Sequence, residues 1–368
     1  MNKLVVFCID AMGQDYWDGS EIPRLKQMAQ AGTYVAAQGV VPSVTNVNNV
    51  SILTGRPPRD HGMHGNVRYD RATGEETLIE AVDALGAETL LQWGKRRGMT
   101  TALLTAKEKL LRILNRGADF QVCAEAPSDE MTAAVGPKQD IYSAAVNHWL
   151  IDACHHVLST HSPDLVYCST TDYIQHKHAP EDEVSLAHMG GLDERIGRIL
   201  DDFPEYDVIV TADHGMNDKT RAVNLRRVLA DAGVEAHALP VIRDRYVAHH
   251  GNLGGVSYIY LKDAGAVDAA RHVLSEAPGA LEVLSPDEAA DRYMLSPDQV
   301  GDLMVLGDEQ TVFGDFAETV HPVEVRSHGS IFERNVPIAS NVKLAEPLAY
   351  NFEAVARWME WQGDAQGG

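Results

Sequence analysis

Three apolar runs in the chain each lead into an aspartate. KLVVFCI precedes Asp10, DLVYCST leads to Asp172, and YDVIVTA precedes Asp213. KLVVFCI alternates too little for a strand with one face in water, so it predicts a strand buried on both faces, and the other two runs repeat the pattern. Helical patterns lie between the runs, the longest over about 181–202. This alternation predicts an α/β fold with a mostly parallel central sheet flanked by helices and a functional site at its carboxyl edge.

Residues 222–325 interrupt this alternation with shorter strands and helices. At 368 residues, the chain is long enough for one large domain or for a core with a smaller second unit. We therefore predict that 1–221 and 326–368 form the core and that 222–325 is an inserted α+β cap subdomain. Residues 117–138 lack a regular pattern and are expected to be irregular, and the last helix is expected near 346–360.

The acidic composition of the chain argues against two classes of partner. A formal net charge of -22 and a pI near 5.0 disfavour nucleic acid and anionic membranes, because both require a basic surface. No apolar stretch approaches the roughly 20 residues of a membrane span, and the N-terminal KLVVFCID does not resemble a signal peptide. The four cysteines lack CxxC spacing, and Cys8 and Cys168 are predicted to be reduced core residues. We expect a cytoplasmic protein.

Residues 41–55, VPSVTNVNNVSILTG, place a threonine where a helix is predicted to begin. Small and polar residues fill 43–49 and an apolar helical stretch follows from Val50, so Thr45 heads the helix. First-turn N–H groups lack intrahelical acceptors and, with the positive end of the helix dipole, suit an oxyanion such as phosphate. A threonine hydroxyl is a weak nucleophile that metal coordination can activate. An ordinary N-cap threonine is the alternative interpretation.

Four places in the sequence offer ligands for a metal ion. They are Asp10, the pair Asp172 and His176, the adjacent pair Asp213 and His214, and His328 in SHGS. A spacing of four lets a carboxylate and an imidazole meet at one ion, and mixed aspartate and histidine ligands favour zinc or a similar ion over calcium. Each place alone is ordinary in a loop or cap, but with Thr45 they divide into two sets with a hydroxyl between them. Two metal ions in such sets could clamp a phosphoryl displacement. No role is assigned to His178, His249 or His250.

The ordered series from Asp10 to His328 resembles the alkaline phosphatase superfamily, most closely its branch of nucleotide pyrophosphatase/phosphodiesterases and phosphonoacetate hydrolases. The resemblance implies an alkaline phosphatase-like fold and two zinc ions, with manganese or iron as alternatives. It implies that 222–325 is the family's variable capping segment and that Thr45 is the nucleophile. The implied ligands are Asp172, His176 and His328 for one ion, and Asp10, Thr45, Asp213 and His214 for the other.

Four segments bring the resemblance closer to the phosphonate-cleaving members: TNVNNVSILTGRPP, GN at 65–66, TAKEKL at 105–110 and STTDYIQHKHAP at 169–180. The resemblance implies that Lys107 and Lys109 receive the substrate carboxylate and that Asn66 contacts a phosphonate oxygen. The expected reaction is hydrolysis of phosphonoacetate, a small anionic phosphonate, to acetate and phosphate through a phosphothreonine at Thr45. Without the resemblance, the lysines would be interpreted as a solvated helix start, although lysine in a first turn opposes the helix dipole.

Other functions remain open at the level of sequence. A phosphodiesterase or nucleotide pyrophosphatase on the same metal pair would need an apolar or aromatic slot, for which Tyr69 and Trp17 are the candidates. An isomerase resembling phosphoglycerate mutase would be expected to use serine and manganese, and a metal-binding protein without catalysis is the alternative from another class. The sequence leaves the oligomeric state open, a homodimer included.

Overall fold

The computed structural model describes residues 2–80, 85–243 and 251–364. The strands are β1 Lys3–Cys8, β2 Thr33–Gln38, β3 Val67–Asp70, β4 Glu75–Leu78, β5 Thr101–Thr105, β6 Phe120–Cys123, β7 Leu165–Ser169, β8 Tyr206–Thr211, β9 Asn217–Val223, β10 Ala236–Pro240, β11 Val256–Leu261, β12 Ala280–Leu284, β13 Leu303–Gly307, β14 Thr311–Phe313, β15 Val320–Ser327 and β16 Asn335–Ser340. The helices are α1 Gln14–Gly19, α2 Pro23–Ala31, α3 Thr45–Thr54, α4 Pro58–His61, α5 Leu90–Lys95, α6 Glu108–Leu114, α7 Asp129–Val135, α8 Ala144–His161, α9 Tyr173–Lys177, α10 Glu183–Asp202, α11 Leu225–Asp231, α12 Val267–Ser275, α13 Pro286–Tyr293 and α14 Glu353–Asp364.

A seven-stranded sheet in the order β2-β16-β8-β1-β7-β5-β6 forms the centre of the fold. β1 pairs in parallel with β7 and β8, and β5 pairs in parallel with β6 and β7. β16 runs antiparallel to both of its neighbours. Every residue of β7 and β8 is buried, because apolar cores lie against both faces of the sheet. The mostly parallel α/β fold predicted from the apolar runs is confirmed.

The strands that follow β8 form two smaller sheets. β10, β11, β13 and β12 make an antiparallel four-stranded sheet, on which α11 and α12 help to bury a third apolar core. β9 pairs with β14 and β15, and β15 returns the chain towards the central sheet. The predicted boundaries at 222 and 325 fall inside β9 and β15. The division into core and cap subdomain stays a prediction.

Two predictions about secondary structure were wrong. The segment 117–138, expected to be irregular, contains β6 and α7, which are both too short to give a clear apolar period. β6 is an edge strand of the central sheet. Ser128 caps α7 by accepting a hydrogen bond from the Met131 N–H. The last helix begins at Glu353, later than expected. The Glu353 carboxylate accepts hydrogen bonds from the N–H groups of Ala349 and Tyr350, which holds the preceding residues in a turn.

The four cysteines are buried free thiols, which agrees with the reduced state expected for Cys8 and Cys168. Within the described ranges, no helix has both the length and the apolar character needed to cross a membrane.

Candidate active site

The three predicted aspartates meet at the carboxyl edge of the central sheet. Cys8 at the end of β1 lies in register with Ser169 of β7 and Thr211 of β8. The polypeptide continues for two or three residues beyond the end of each strand, to Asp10 after β1, Asp172 after β7 and Asp213 after β8. All three carboxylates are buried. Strand register, rather than closeness in sequence, therefore brings these acids together.

The first candidate metal group consists of Asp10, Asp213 and His214. One donor atom from each residue lies within 4.8 Å of the other two. The Nε2 of His214 is 3.6 Å from a carboxylate oxygen of Asp10 and 3.6 Å from one of Asp213. Thr45, the first residue of α3, places its Oγ1 3.2 Å from the same Nε2. The structure thus brings together the four residues that the resemblance assigns to one ion.

The second candidate group, as the resemblance implies it, is Asp172, His176 and His328, whereas the donor atoms that lie within 4.8 Å of one another are those of Asp172, His214 and His328. Asp172 is the N-cap of the short helix α9 and His176 lies within it, so the spacing of four brings one Asp172 oxygen to 3.0 Å from the His176 Nε2. The Nε2 of His328 is 3.8 Å from that oxygen. The rings of His214 and His328 stack with their centroids 3.7 Å apart. The two groups therefore adjoin, as a site for two ions about 4 Å apart requires.

Each of the three imidazoles is oriented through its Nδ1. His176 Nδ1 lies 2.7 Å from the carbonyl oxygen of Arg326, His214 Nδ1 lies 2.9 Å from that of Gly215, and His328 Nδ1 lies 2.8 Å from that of Ser43. A carbonyl oxygen only accepts hydrogen bonds, so these contacts assign the proton to Nδ1 in each ring. The lone pair of each Nε2 then faces the aspartates, which is the arrangement that a metal-binding histidine requires.

The backbone after Asp10 adopts a conformation that orders the site. Ala11 has a φ of 57°, in the left-handed region that L-residues seldom occupy. Its N–H donates to Asp213 Oδ1 over 3.1 Å, and the His214 N–H donates to the same oxygen over 3.0 Å. The other oxygen of Asp213 accepts from the Asn49 side-chain amide. Asp213 is thus fixed on both sides before it contributes to any ion.

The donor atoms fit a pair of divalent cations. Both carboxylate oxygens of Asp10 are buried, and neither has a hydrogen-bond partner among the residues that the structure describes. Burial, then the carboxylates of Asp172 and Asp213, raise the pKa of Asp10 well above its usual value. Burial, then His214 and His176, lower the pKa of His328 well below 6.5, which favours the neutral ring that binds metals. A cation supplies the positive charge that these buried carboxylates need.

The separations of the donor atoms agree with this assignment. A tetrahedral zinc ion with bonds of about 2.0–2.1 Å holds its nitrogen and oxygen donors about 3.3 Å apart. The Nε2-to-carboxylate distances within the two groups are 3.0, 3.6, 3.6 and 3.8 Å. These distances allow an ion to lie between the atoms, although zinc, manganese and iron accept the same set of donors.

A small cavity beside the two groups contains the residues predicted to bind substrate. Thr45, Asn66, Lys107 and Lys109 all line it, and its volume is about 40 Å³. Lys107 is the N-cap of α6, and its Nζ lies 3.1 Å from Asp172 Oδ1. The Asn66 Oδ1 is buried and accepts no hydrogen bond from the residues described. Thr45, Asn66 and both lysines thus line one small space.

A model of the type I phosphodiesterase / nucleotide pyrophosphatase family matches residues 4–331 of the chain. The chain belongs to this family. It is 31% identical to phosphonoacetate hydrolase from Sinorhizobium meliloti 1021 solved with phosphonoacetate, over 96% of this chain and 94% of that one, with a TM-score of 0.88. The same enzyme solved with phosphonoformate gives 30% identity over 96% and 94% of the chains and a TM-score of 0.87.

Murine ectonucleotide pyrophosphatase/phosphodiesterase 5 shares the fold, with 16% identity over 98% of this chain and 95% of that one and a TM-score of 0.71. The resemblance to the alkaline phosphatase superfamily is therefore confirmed, and the chain is a hydrolase of this superfamily.

The aromatic candidates for a nucleotide slot in this family member lie elsewhere. Tyr69 stacks on His237 and contacts Tyr260, and it lines a different cavity from Thr45. Trp17 is buried and stacks on Tyr34. The described residues that line the Thr45 cavity include no phenylalanine, tyrosine or tryptophan.

Several residues that organise the site were missed in the sequence. Asn49 donates to the Thr45 carbonyl and to Asp213, and accepts from the Tyr167 hydroxyl. The available signal was the three asparagines among the first five residues of α3, because a buried amide requires partners. Ser43, whose carbonyl oxygen accepts from His328, gave no such signal.

Of the unassigned histidines, His178 lies within the described residues, and it does not join the metal groups. His178 lies 3.5 Å from Asp182, and its carbonyl accepts from the Tyr16 hydroxyl. His249 and His250 lie outside the described residues.

Proposed function

We propose that the protein hydrolyses the C–P bond of phosphonoacetate to acetate and phosphate, with two zinc ions and a phosphothreonine intermediate. The observation that carries the proposal is the shared cavity in which Thr45 faces Lys107 and Lys109. A similar enzyme with bound phosphonoacetate supports the same substrate class.

Seven side chains would hold the two ions. They are Asp172, His176 and His328 for one ion and Asp10, Thr45, Asp213 and His214 for the other. The ions, when bound, supply Lewis-acid chemistry that lowers the proton affinity of the threonine hydroxyl and offsets the charge on the phosphonate. Manganese or iron would serve the same donors.

The chain's own residues position the reacting groups. Thr45 Oγ1 releases its proton to solvent and forms the new bond to phosphorus, and the first-turn N–H groups of α3 stabilise the phosphonate oxygens together with Asn66. The C–P bond breaks, and its electron pair moves to the carbon as an enolate-like form of acetate. Lys107 and Lys109 offset the second negative charge, and a proton from solvent completes acetate. Water then cleaves the phosphothreonine, which releases phosphate and restores Thr45.

A phosphodiesterase acting on the same residues is the second candidate, because the family as a whole is named for that reaction. Two features of the site favour the phosphonate. Among the described residues, no phenylalanine, tyrosine or tryptophan lines the Thr45 cavity to receive a base or ester group, and two lysines are suited to a charged leaving group rather than a neutral one. The cytoplasmic location and the cap subdomain over 222–325, both predicted from the sequence, remain proposals.

The deciding experiment measures phosphate and acetate release from phosphonoacetate by the zinc-loaded protein. Bis-p-nitrophenyl phosphate and p-nitrophenyl phosphate serve as comparison substrates in separate, parallel assays. We expect a strong preference for phosphonoacetate, with acetate and phosphate in equal amounts. Rapid diester cleavage without acetate release would instead assign the protein to the phosphodiesterases.

A further inference from the structure

Glu333 is a buried carboxylate behind the candidate metal groups. It lies in a short turn at Phe332–Arg334, five residues after His328, and is 2% exposed. One carboxylate oxygen accepts from the Asn217 side-chain amide over 2.9 Å and from Lys219 Nζ over 2.7 Å. The other accepts from the N–H and the hydroxyl of Ser330, over 2.9 and 2.6 Å. These donors approach a single side chain from two segments of the chain, β9 and the turn that follows β15.

The same residue connects to the supports of two metal-binding imidazoles. The Glu333 carbonyl accepts the Gly215 N–H over 2.7 Å, and the Gly215 carbonyl orients His214. On the other side, Ser330 is held by the Glu333 carboxylate, and its carbonyl accepts the Ser43 hydroxyl over 2.7 Å. The Ser43 carbonyl in turn orients His328. Glu333 therefore lies between the supports of two histidines assigned to different ions.

Stability alone is a weak explanation for this arrangement. Lys219 is 1% exposed, and apart from Glu333 its Nζ also donates to the Glu309 carbonyl. A buried ion pair adds little stability relative to well-packed apolar residues of similar size, because both charges lose their water. A hydrogen-bonded carboxylate does, however, fix the positions of several donors at once.

We propose that Glu333, paired with Lys219, is a positioning residue that sets the placement of His214 relative to His328, and thereby the spacing of the two metal ions. This inference rests on the two-metal site of the proposed function, but not on the identity of the substrate. Glu333 does not touch the reacting atoms. It acts through Gly215, Ser330 and Ser43.

The test uses Glu333→Gln, whose amide keeps the size of the side chain but replaces one acceptor by a donor. We expect zinc affinity, measured by competition with a chromogenic chelator, to fall about 10- to 100-fold. The turnover number should fall as well, with part of the loss restored by excess zinc. The double variant Glu333→Gln/Lys219→Met removes the unpaired buried charge, and it should recover melting temperature without recovering zinc affinity.

Asp207→Asn provides the matched control. Asp207 is a buried carboxylate near the start of β8 that accepts hydrogen bonds from Trp358 Nε1 and the Asn2 side chain, at the opposite end of the strand from Asp213. This variant should lower the melting temperature and leave zinc affinity within about twofold. Equal zinc affinity in Glu333→Gln and the wild type would overturn the proposal.

A milder variant covers the case in which Glu333→Gln does not fold. Ser330→Ala removes one hydrogen bond to Glu333 and should weaken zinc binding about threefold or more; unchanged binding would overturn the proposal equally. Failure of the proposed function has a different result: wild-type protein that binds two zinc ions without releasing acetate leaves the positioning role intact. If the wild-type protein binds no second ion, both the proposed function and the positioning role of Glu333 are refuted.

Discussion

The lysine pair gives the sharpest prediction about the reaction. Lys107→Met removes the ammonium group and retains much of the apolar stem. The side chain is 19% exposed, so its charge is only partly screened by water. A charge-assisted hydrogen bond to a carboxylate contributes about 1.5–3 kcal/mol. If that bond forms fully as the leaving group gains charge, kcat/KM for phosphonoacetate should fall about 10- to 150-fold.

The measurement compares phosphonoacetate with p-nitrophenyl phosphate on the same protein preparations. The aryl leaving group carries no carboxylate, so its kcat/KM should change less than about threefold. Because Lys107 Nζ also lies 3.1 Å from Asp172, zinc affinity must be measured in parallel, and we expect it to be equal to or higher than that of the wild type. Lys177→Met, at an exposed lysine beside His176, is the matched control and should change neither rate. Equal losses on both substrates would refute the role of Lys107 in carboxylate binding.

Three further predictions concern the nucleophile, its support and acid stability. Thr45→Ala should bind zinc with near-normal stoichiometry and lose turnover, and near-normal turnover would remove the residue from the nucleophile role. Asn49→Ala should lower the free energy of unfolding by about 2–4 kcal/mol in urea titrations, because the Tyr167 hydroxyl and Asp213 lose a buried partner. Burial lowers the pKa of His188 to about 3, so the unfolded chain takes up the proton first, and stability is lost as pH falls below about 6.5. At pH 5 this histidine should cost about 2 kcal/mol, and His188→Gln should reduce the pH dependence by that amount; an unchanged dependence would contradict the assignment.

The position of the candidate site could be predicted because the sequence patterns that indicate it lie within short segments. Each buried strand is recognisable in the sequence as an apolar run. Because the strands are parallel, their carboxyl ends meet at one edge of the sheet, and the aspartate that follows each strand must lie there. The positions of Asp10, Asp172 and Asp213 could therefore be predicted without knowing the conformation of the loops. The lysines were placed only through the resemblance to a family, since two lysines at a helix start are otherwise ordinary surface residues.

The supports of the site could not be predicted, because their partners are distant in the sequence. Ser43 contacts Ser330, and Glu333 contacts Lys219, across large stretches of chain. Each is polar and unremarkable in its local segment. β9 and β15 were missed for a related reason: both contain many polar residues, and it is their pairing with each other that makes them strands. Tertiary contacts, rather than local propensity, decide such segments.

The order of strands in the central sheet has a consequence for how the chain folds during synthesis. Among the described strands, β2 lies at the edge of that sheet and pairs with β16 alone, so Gln38 and the residues before it cannot pair until Asn335 and the residues after it have been synthesised. Pairing across so many residues closes a long loop and is slow. A nascent chain that has already exposed β1, β7 and β8 still lacks this pairing and His328. On the ribosome, we therefore expect this side of the sheet to stay unpaired until the segment through Ser340 has emerged, and any metal ion to be bound at the proposed site only after that.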